Sequence, residues 1–284
     1  MPATWNVSWH HISLGIPPIW TQGFTGQGVT VALLDTGLAA PKGLDRTDFE
    51  YLDARGGRIL SADPLGHGTA AGSTIASYVG GVLGIAPHAK LVSVQVLGTA
   101  NSIANVESAF GYLLQRDDID VVSCSFVMTH ATEAVRDAVR RLTNSGKIVI
   151  AAAGDDELPM QFPEQTANAL TVAAVDPAGH PLQGARTGSW IDVAAPGLDI
   201  PVVLPGTARV GRFGQSSAAA AVTSGVAALV LSTCSAGPKR LAIARRLEEL
   251  FKTKAVLGAE DPNAVGRGLI NPAALVQAAQ TINL

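Results

Sequence analysis

The chain has 284 residues, 47% of them hydrophobic and 15% charged, enough to bury the core of one large domain behind an N-terminal arm of residues 1–24. A formal net charge of −3 without a run of Lys or Arg argues against nucleic acid as a partner, and no apolar stretch reaches bilayer length, which argues against a membrane. The start, Met1-Pro2-Ala3-Thr4-Trp5-Asn6, has neither a charged leader nor an apolar signal core, so the expectation is a cytoplasmic protein.

From Trp5 to Trp20 the chain reads as an aromatic, loop-like arm broken at Pro17-Pro18. His10-His11, taken as neighbours on an extended segment, would face opposite ways, a structural reading and not a metal pair. Gly26-Gln27-Gly28 then precedes Val29-Thr30-Val31-Ala32-Leu33-Leu34, an apolar run typical of a strand buried on both faces. A dinucleotide fingerprint follows a strand and opens a helix, whereas these glycines precede one, so no cofactor is expected. The strand ends in Asp35-Thr36-Gly37, and open α/β sheets place their sites at such carboxyl ends.

Asp63-Pro64-Leu65-Gly66-His67-Gly68-Thr69 leads into a small-residue helix over Ala70 to Ala76. A histidine between two glycines at a helix start can approach a neighbouring strand end closely. Strands over Lys90 to Leu97, Asp120 to Phe126 and Lys147 to Ala153 alternate with helices over Ile103 to Gln115 and Thr132 to Ser145, the pattern of a parallel sheet covered on both faces. Asn168 to Val203 is richer in strands, and helices follow at Pro238 to Phe251 and Pro272 to Ala279. Cys124 and Cys234 read as buried free thiols without metal spacing.

Gly214-Gln215-Ser216-Ser217 precedes the helix-forming run Ala218 to Leu229, a tight turn into a helix start. Backbone N–H groups in a first helical turn lack intrahelical partners and carry the positive end of the dipole, so a hydroxyl there faces donors suited to developing negative charge. Ser216 is therefore a candidate nucleophile. Alone, a serine before an alanine-rich helix is more often a simple N-cap; chemistry needs a base and an orienting acid from elsewhere.

Val31-Ala32-Leu33-Leu34-Asp35-Thr36-Gly37, Gly66-His67-Gly68-Thr69, Ala151-Ala152-Ala153-Gly154, Ala194-Ala195-Pro196-Gly197, Gly214-Gln215-Ser216 and Gly268-Leu269-Ile270-Asn271 supply those partners. Their order and spacing resemble the subtilisin-like serine peptidases from about Trp5 to Ala279. The resemblance implies a three-layer α/β fold, a mostly parallel central sheet with helices on both faces. It also implies a serine endopeptidase acting on an extended peptide or protein through an acyl-enzyme: Ser216 attacks, His67 carries the proton and Asp35 orients the imidazole. Ser125, Phe126 and Val127 with Ala153 and Gly154 would line the substrate cleft, and Gly98, Thr99, Ala100 and Asn101 would offer an edge to which a peptide adds as a strand.

Departures from the family pattern shape the expectations further. Where the family has an Asn that donates to the oxyanion together with the Ser216 N–H, this chain has Asp155, followed by Asp156 and Glu157. Loss of such a donor costs roughly 3–4 kcal/mol in subtilisin itself, and only a protonated Asp155, favoured by acidic neighbours and burial, would donate in its place. Ala220 replaces the usual proline after the nucleophile and restores an N–H that regularises the first helical turn; loss of the ring also relieves crowding beneath the nucleophile, which would favour amine attack on an acyl intermediate, although plain drift toward helix propensity is the favoured reading of the change. Val127 replaces glycine and narrows the pocket. The loop Ser77 to Gly80 is short and carries no carboxylate or carboxamide, so no metal is expected there. The chain is read as an excised catalytic domain, a member that folds unaided, or a piece of a larger processing or biosynthetic protein. A transpeptidase or macrocyclase and a weakly active binding module are the alternatives to hydrolysis.

Overall fold

The computed structural model describes residues 6–40, 49–79, 81–98, 102–155, 160–164 and 166–282. In chain order the elements are α1 (Trp9–Ser13), α2 (Ile16–Thr21), β1 (Thr30–Asp35), β2 (Glu50–Asp53), α3 (His67–Ala76), β3 (Tyr78–Val79), β4 (Val82–Leu83), β5 (Lys90–Gln95), α4 (Ser102–Leu113) and β6 (Val121–Cys124). There follow α5 (Glu133–Asn144), β7 (Ile148–Ala152), β8 (Ala169–Val175), β9 (Val193–Pro196), β10 (Ile200–Val203), β11 (Val210–Phe213), α6 (Gln215–Leu231), α7 (Pro238–Lys254), α8 (Pro262–Val265) and α9 (Pro272–Thr281). Seven strands form one sheet in the order β2-β5-β1-β6-β7-β8-β9, every neighbouring pair parallel, and β10-β11 and β3-β4 are small antiparallel ribbons.

The strands are apolar without alternation because both faces of the sheet are covered. Val31 and Leu33 of β1, with Ile148 and Ile150 of β7, face a core shared with α2, α3, α6, α7 and α9. Ala32 and Leu34, with Val149 and Ala151, face the other core, under α4 and α5. Those two layers around one sheet are the expected three-layer architecture. Helix α6 is buried over nearly its whole length, which its run of alanines permits, since small side chains let a helix lie close to a sheet.

The N-terminal arm departs from expectation. It is helical at α1 and α2, and Pro17-Pro18 fall in the first turn of α2, where a missing N–H costs nothing. His10 and His11 do not face opposite ways: helical spacing turns both inward, with ring centroids 3.9 Å apart. Strand β2, a four-residue edge strand, lacked an apolar signature because only Leu52 is buried.

Register aligns the strand ends on which the site is built. Leu34 pairs with Cys124 and Cys124 with Ala151, so Asp35, Ser125 and Ala152 lie level at the carboxyl edge of the sheet.

Candidate active site

Asp35 closes β1 and is wholly buried. Its Oδ1 accepts from the Thr36 N–H at 2.7 Å and lies 2.8 Å from His67 Nδ1. With its Nδ1 proton held by Asp35, His67 presents Nε2 to the cleft. His67 opens α3, and the residue after it must be glycine: a Cβ on Gly68 would lie 2.0 Å from the Gly37 carbonyl oxygen and 3.1 Å from Asp35 Cβ. The Gly68 N–H donates to Thr36 Oγ1 at 2.9 Å, and that hydroxyl donates to Asp63 Oδ1 at 2.7 Å. Asp63 also accepts from the N–H groups of Gly66 at 2.9 Å and Thr69 at 2.7 Å, which fixes the start of α3. Burial of His67 opposes the imidazolium, but the bond to Asp35, the Asp35 charge and the Asp63 charge outweigh it, so its pKa is raised above 6.5. The Phe213 ring meets the imidazole at 5.2 Å and 85°, edge to face.

Ser216 is the second residue of α6 and only 1% exposed. Gln215 before it holds a left-handed φ of 65°, a conformation costing about 1 kcal/mol in a residue with a Cβ, and its N–H is anchored on the Gly197 carbonyl at 2.6 Å. That anchor explains the Ala-Ala-Pro-Gly segment, since a Cβ on Gly197 would lie 2.7 Å from the Gln215 carbonyl oxygen and 2.4 Å from Ala174 Cβ. The Ser216 hydroxyl donates to Asp155 Oδ2 at 2.8 Å, and the Ser216 N–H donates to Asp155 Oδ1 at 2.9 Å. The Gly154 N–H donates to Ser216 Oγ at 3.0 Å. Among the described residues, no hydrogen bond joins Ser216 to His67.

The expected cleft residues divide. Ser125 and Ser217 exchange side-chain-to-carbonyl hydrogen bonds, both 2.9 Å, which tie the end of β6 to the start of α6. Phe126 turns its ring into the core against Phe162, leaving only its backbone for a substrate, while Val127 is half-buried. Ala153 is buried, and Gly154 lies beside Ser216 with Met160 and Arg186 packed against it. Gly98 sits near Leu65 and Thr36, on the His67 side. Thr99, Ala100 and Asn101 lie outside the described residues, as do Asp156 and Glu157. Sequence reasoning missed Asp63, Thr36 and Phe213. A carboxylate three residues before the Gly66-His67 turn was a readable signal for the first; nothing local marked Phe213.

Among the described residues, no group of three or more His, Cys, Asp or Glu side chains is placed to hold a metal, and no helix is long and apolar enough to cross a membrane.

An acid on a strand end, an imidazole on a helix start and a serine under a second helix start, all on one edge of a doubly covered sheet, make a hydrolase-type α/β site. The chain belongs to the subtilase family, whose model, described as "Subtilase family", matches residues 26–268. It is 31% identical over 231 residues to M-protease of Shouchella clausii (strain KSM-K16), covering 79% of this chain and 60% of that one. Subtilisin Savinase of Lederbergia lenta is also 31% identical over 231 residues, covering 79% of this chain and 84% of the relative. The chain thus spans about three fifths of the length of M-protease and most of Savinase. Among solved structures, the prenylagaramide maturation protease PagA superposes with a TM-score of 0.77 at 22% identity, covering 93% of this chain and 98% of PagA, a likeness of fold.

Proposed function

We propose that this chain is a serine endopeptidase that cleaves extended peptides through an acyl-enzyme on Ser216. The observation that carries the reading is the 2.8 Å pairing of His67 Nδ1 with buried Asp35, on the sheet edge where Ser216 opens α6. Asp35 fixes the imidazole tautomer and orientation, leaving Nε2 to exchange protons at the scissile bond. The Ser216 N–H, at the start of a buried helix, is a donor for the oxyanion once a substrate carbonyl takes it from Asp155. The backbone beyond β6, at Ser125 and Phe126, with Ala153 and Gly154 beyond β7, gives an extended peptide two adjacent strand ends to lie against.

Family membership and the relatives' names as proteases support hydrolysis. PagA is a maturation protease, and the matching proposal here is that the substrate is a precursor peptide. A fluorophosphonate probe should label Ser216 in the wild type and leave Ser216→Ala unlabelled with an unchanged melt. Mass spectrometry of products from a peptide panel, with and without an added amine, then separates hydrolysis from transpeptidation. A folded wild type that the probe does not label would leave the chain a binding module.

A further inference from the structure

Asp155 holds Ser216 at two points. Its Oδ2 takes the Ser216 hydroxyl at 2.8 Å and its Oδ1 takes the Ser216 N–H at 2.9 Å, while the Gly154 N–H donates to Ser216 Oγ at 3.0 Å. A backbone N–H can only donate, so Oδ1 is an acceptor there. With one lone pair of Oγ taken by Gly154, the hydroxyl proton turns to Oδ2. Both groups that acyl transfer needs from Ser216, the hydroxyl and the N–H, are thus occupied by one side chain. His67, by contrast, is already paired with Asp35 at 2.8 Å. The acid–base pair is assembled and the nucleophile is turned away from it.

We propose that Asp155 is a latch, an autoinhibitory contact that keeps Ser216 out of the triad in the free enzyme and that a well-seated substrate carbonyl opens by displacing the carboxylate. This rests on the peptidase reading above, and it leaves the roles of Asp35, His67 and Ser216 as that reading has them. The latch works by position. A carbonyl oxygen that is to bond the Ser216 N–H needs the place where Asp155 Oδ1 lies, and one directional N–H does not serve two acceptors at full strength. Once Oδ1 leaves the N–H, Oδ2 of the same carboxylate leaves the hydroxyl, so the event that seats the substrate also frees the nucleophile. Ser216 then passes its proton to His67 Nε2 as Oγ bonds the carbonyl carbon, and the carbonyl π pair moves onto oxygen beside the Ser216 N–H.

The frame around the latch is fixed and the latch itself is free to turn. Gly154 holds a φ of 91°, and a Cβ there would lie 2.6 Å from Met160 Cε and 3.0 Å from Arg186 Cδ, so the backbone ahead of Asp155 is closely packed. Ser216 is anchored from the other side by the Gln215 N–H on the Gly197 carbonyl at 2.6 Å. Asp155 is half-buried, which gives its carboxylate a solvent side to rotate toward. A charged acceptor holds an N–H more strongly than a neutral carbonyl does, so the carbonyl alone does not open the latch. Binding along the rest of the peptide supplies the difference. The selected substrate class is therefore a peptide anchored over several residues, against short peptides and small acyl donors.

The test is the rate at which a small fluorophosphonate labels Ser216, read together with the melting temperature, for the wild type and Asp155→Ala. Alanine removes the carboxylate and adds no donor, so it separates a latch from a missing oxyanion donor. The probe brings few contacts with which to open the latch, and Asp155→Ala should label about tenfold or more faster than the wild type. It should nonetheless melt about 2–5 °C lower, because the same two bonds tie the turn after β7 to the start of α6. A merely structural Asp155 would lower both the rate and the melt. The gain in kcat/KM should be larger on a dipeptide ester than on an extended peptide, since the extended peptide already opens the wild type. Asp155→Val also lacks an acceptor and decides in the same way if the alanine variant does not fold. A labelled wild type that reacts as fast as the folded variant overturns the latch and leaves the peptidase reading standing. A folded wild type and a folded variant that both resist the probe overturn the peptidase reading and the latch with it.

Discussion

His67 and the pair His10-His11 are the same side chain in two opposite settings. His67 is 34% exposed at a helix start, bonded to one carboxylate and near another, and its pKa is raised. His10 and His11 are buried and lie ring against ring, His11 also against Trp20, with no carboxylate bonded to either among the described residues, and burial pushes His10 down to about 4 and His11 well below 6.5. Among the described residues His10 has no hydrogen-bond partner at either ring nitrogen, whereas the Ser8 N–H donates to His11 Nδ1 at 3.0 Å and the Leu83 backbone partly offsets the effect of burial on His11. Burial acts in the same direction on all three; a carboxylate within hydrogen-bond reach decides whether it wins. The signs for stability follow. The raised His67 contributes stability at acid pH that is lost as pH rises through its folded pKa. The lowered pair contributes above pH 6.5 and loses that contribution as pH falls.

The strongest way to break the contrast is to remove the carboxylate. Asp35→Asn leaves the shape of the buried site but takes away the acceptor that fixes His67 Nδ1, so kcat/KM should fall by about 10⁴-fold, the order of magnitude found in subtilisin. A loss below tenfold on a chromogenic peptide would mean that Asp35 does not orient the imidazole.

Next in size is the backbone that delivers His67 to Asp35. Gly68→Ala would place a methyl 2.0 Å from the Gly37 carbonyl oxygen, a contact between two backbones that no rotamer relieves. Stability should drop by about 3 kcal/mol, read from the urea midpoint, with activity falling along with it. An unchanged midpoint would show that α3 can slide away from β1 without cost.

The arm offers a gain instead of a loss. His10→Phe keeps a ring stacked on His11 and removes a group that must gain a proton when the chain unfolds in acid. Between its unfolded and folded values, 6.5 and about 4, His10 costs the wild type up to about 3 kcal/mol as pH falls. The variant should therefore match the wild type within about 1 kcal/mol at pH 7.5 and exceed it by about 2 kcal/mol at pH 4.5. Equal acid sensitivity in urea melts at the two pH values would show that His10 titrates normally in the fold.

The central sheet was legible because a strand buried on both faces carries an unbroken apolar run, and Asp35, His67 and Ser216 were legible because each stands at a strand end or helix start in a short fixed motif. The arm was not. Its helices are five and six residues long, too short for a periodic signal, and prolines in a first turn look like a break from sequence alone. Asp155 was visible as a departure but its partner was not. Its bonds cross 61 residues and depend on the turn after β7 meeting the turn before α6, a tertiary fact with no local trace. The Ser125–Ser217 pair, which spans 92 residues, was hidden for the same reason.

The smallest expected effect lies where the two regions touch. Phe213 meets the His67 ring edge to face and belongs to a small apolar patch with Trp9, Ala70, Ile200, Val202 and Ala218. Trp9 is next to His10 on α1, and its indole N–H donates to the Leu198 carbonyl at 3.0 Å, so the arm supports the ring that steadies the imidazole. Edge-to-face ring pairs contribute about 0.5–1.5 kcal/mol beyond burial. Phe213→Leu keeps the apolar volume and drops the ring contact. It should lower kcat by about threefold and move the His67 limb of the pH profile by a few tenths of a unit, with little change in the melting temperature. Phe213→Tyr, which keeps the ring, should restore both. A melt several degrees lower with the pH limb unmoved would make Phe213 a packing residue and leave the arm uncoupled from the site.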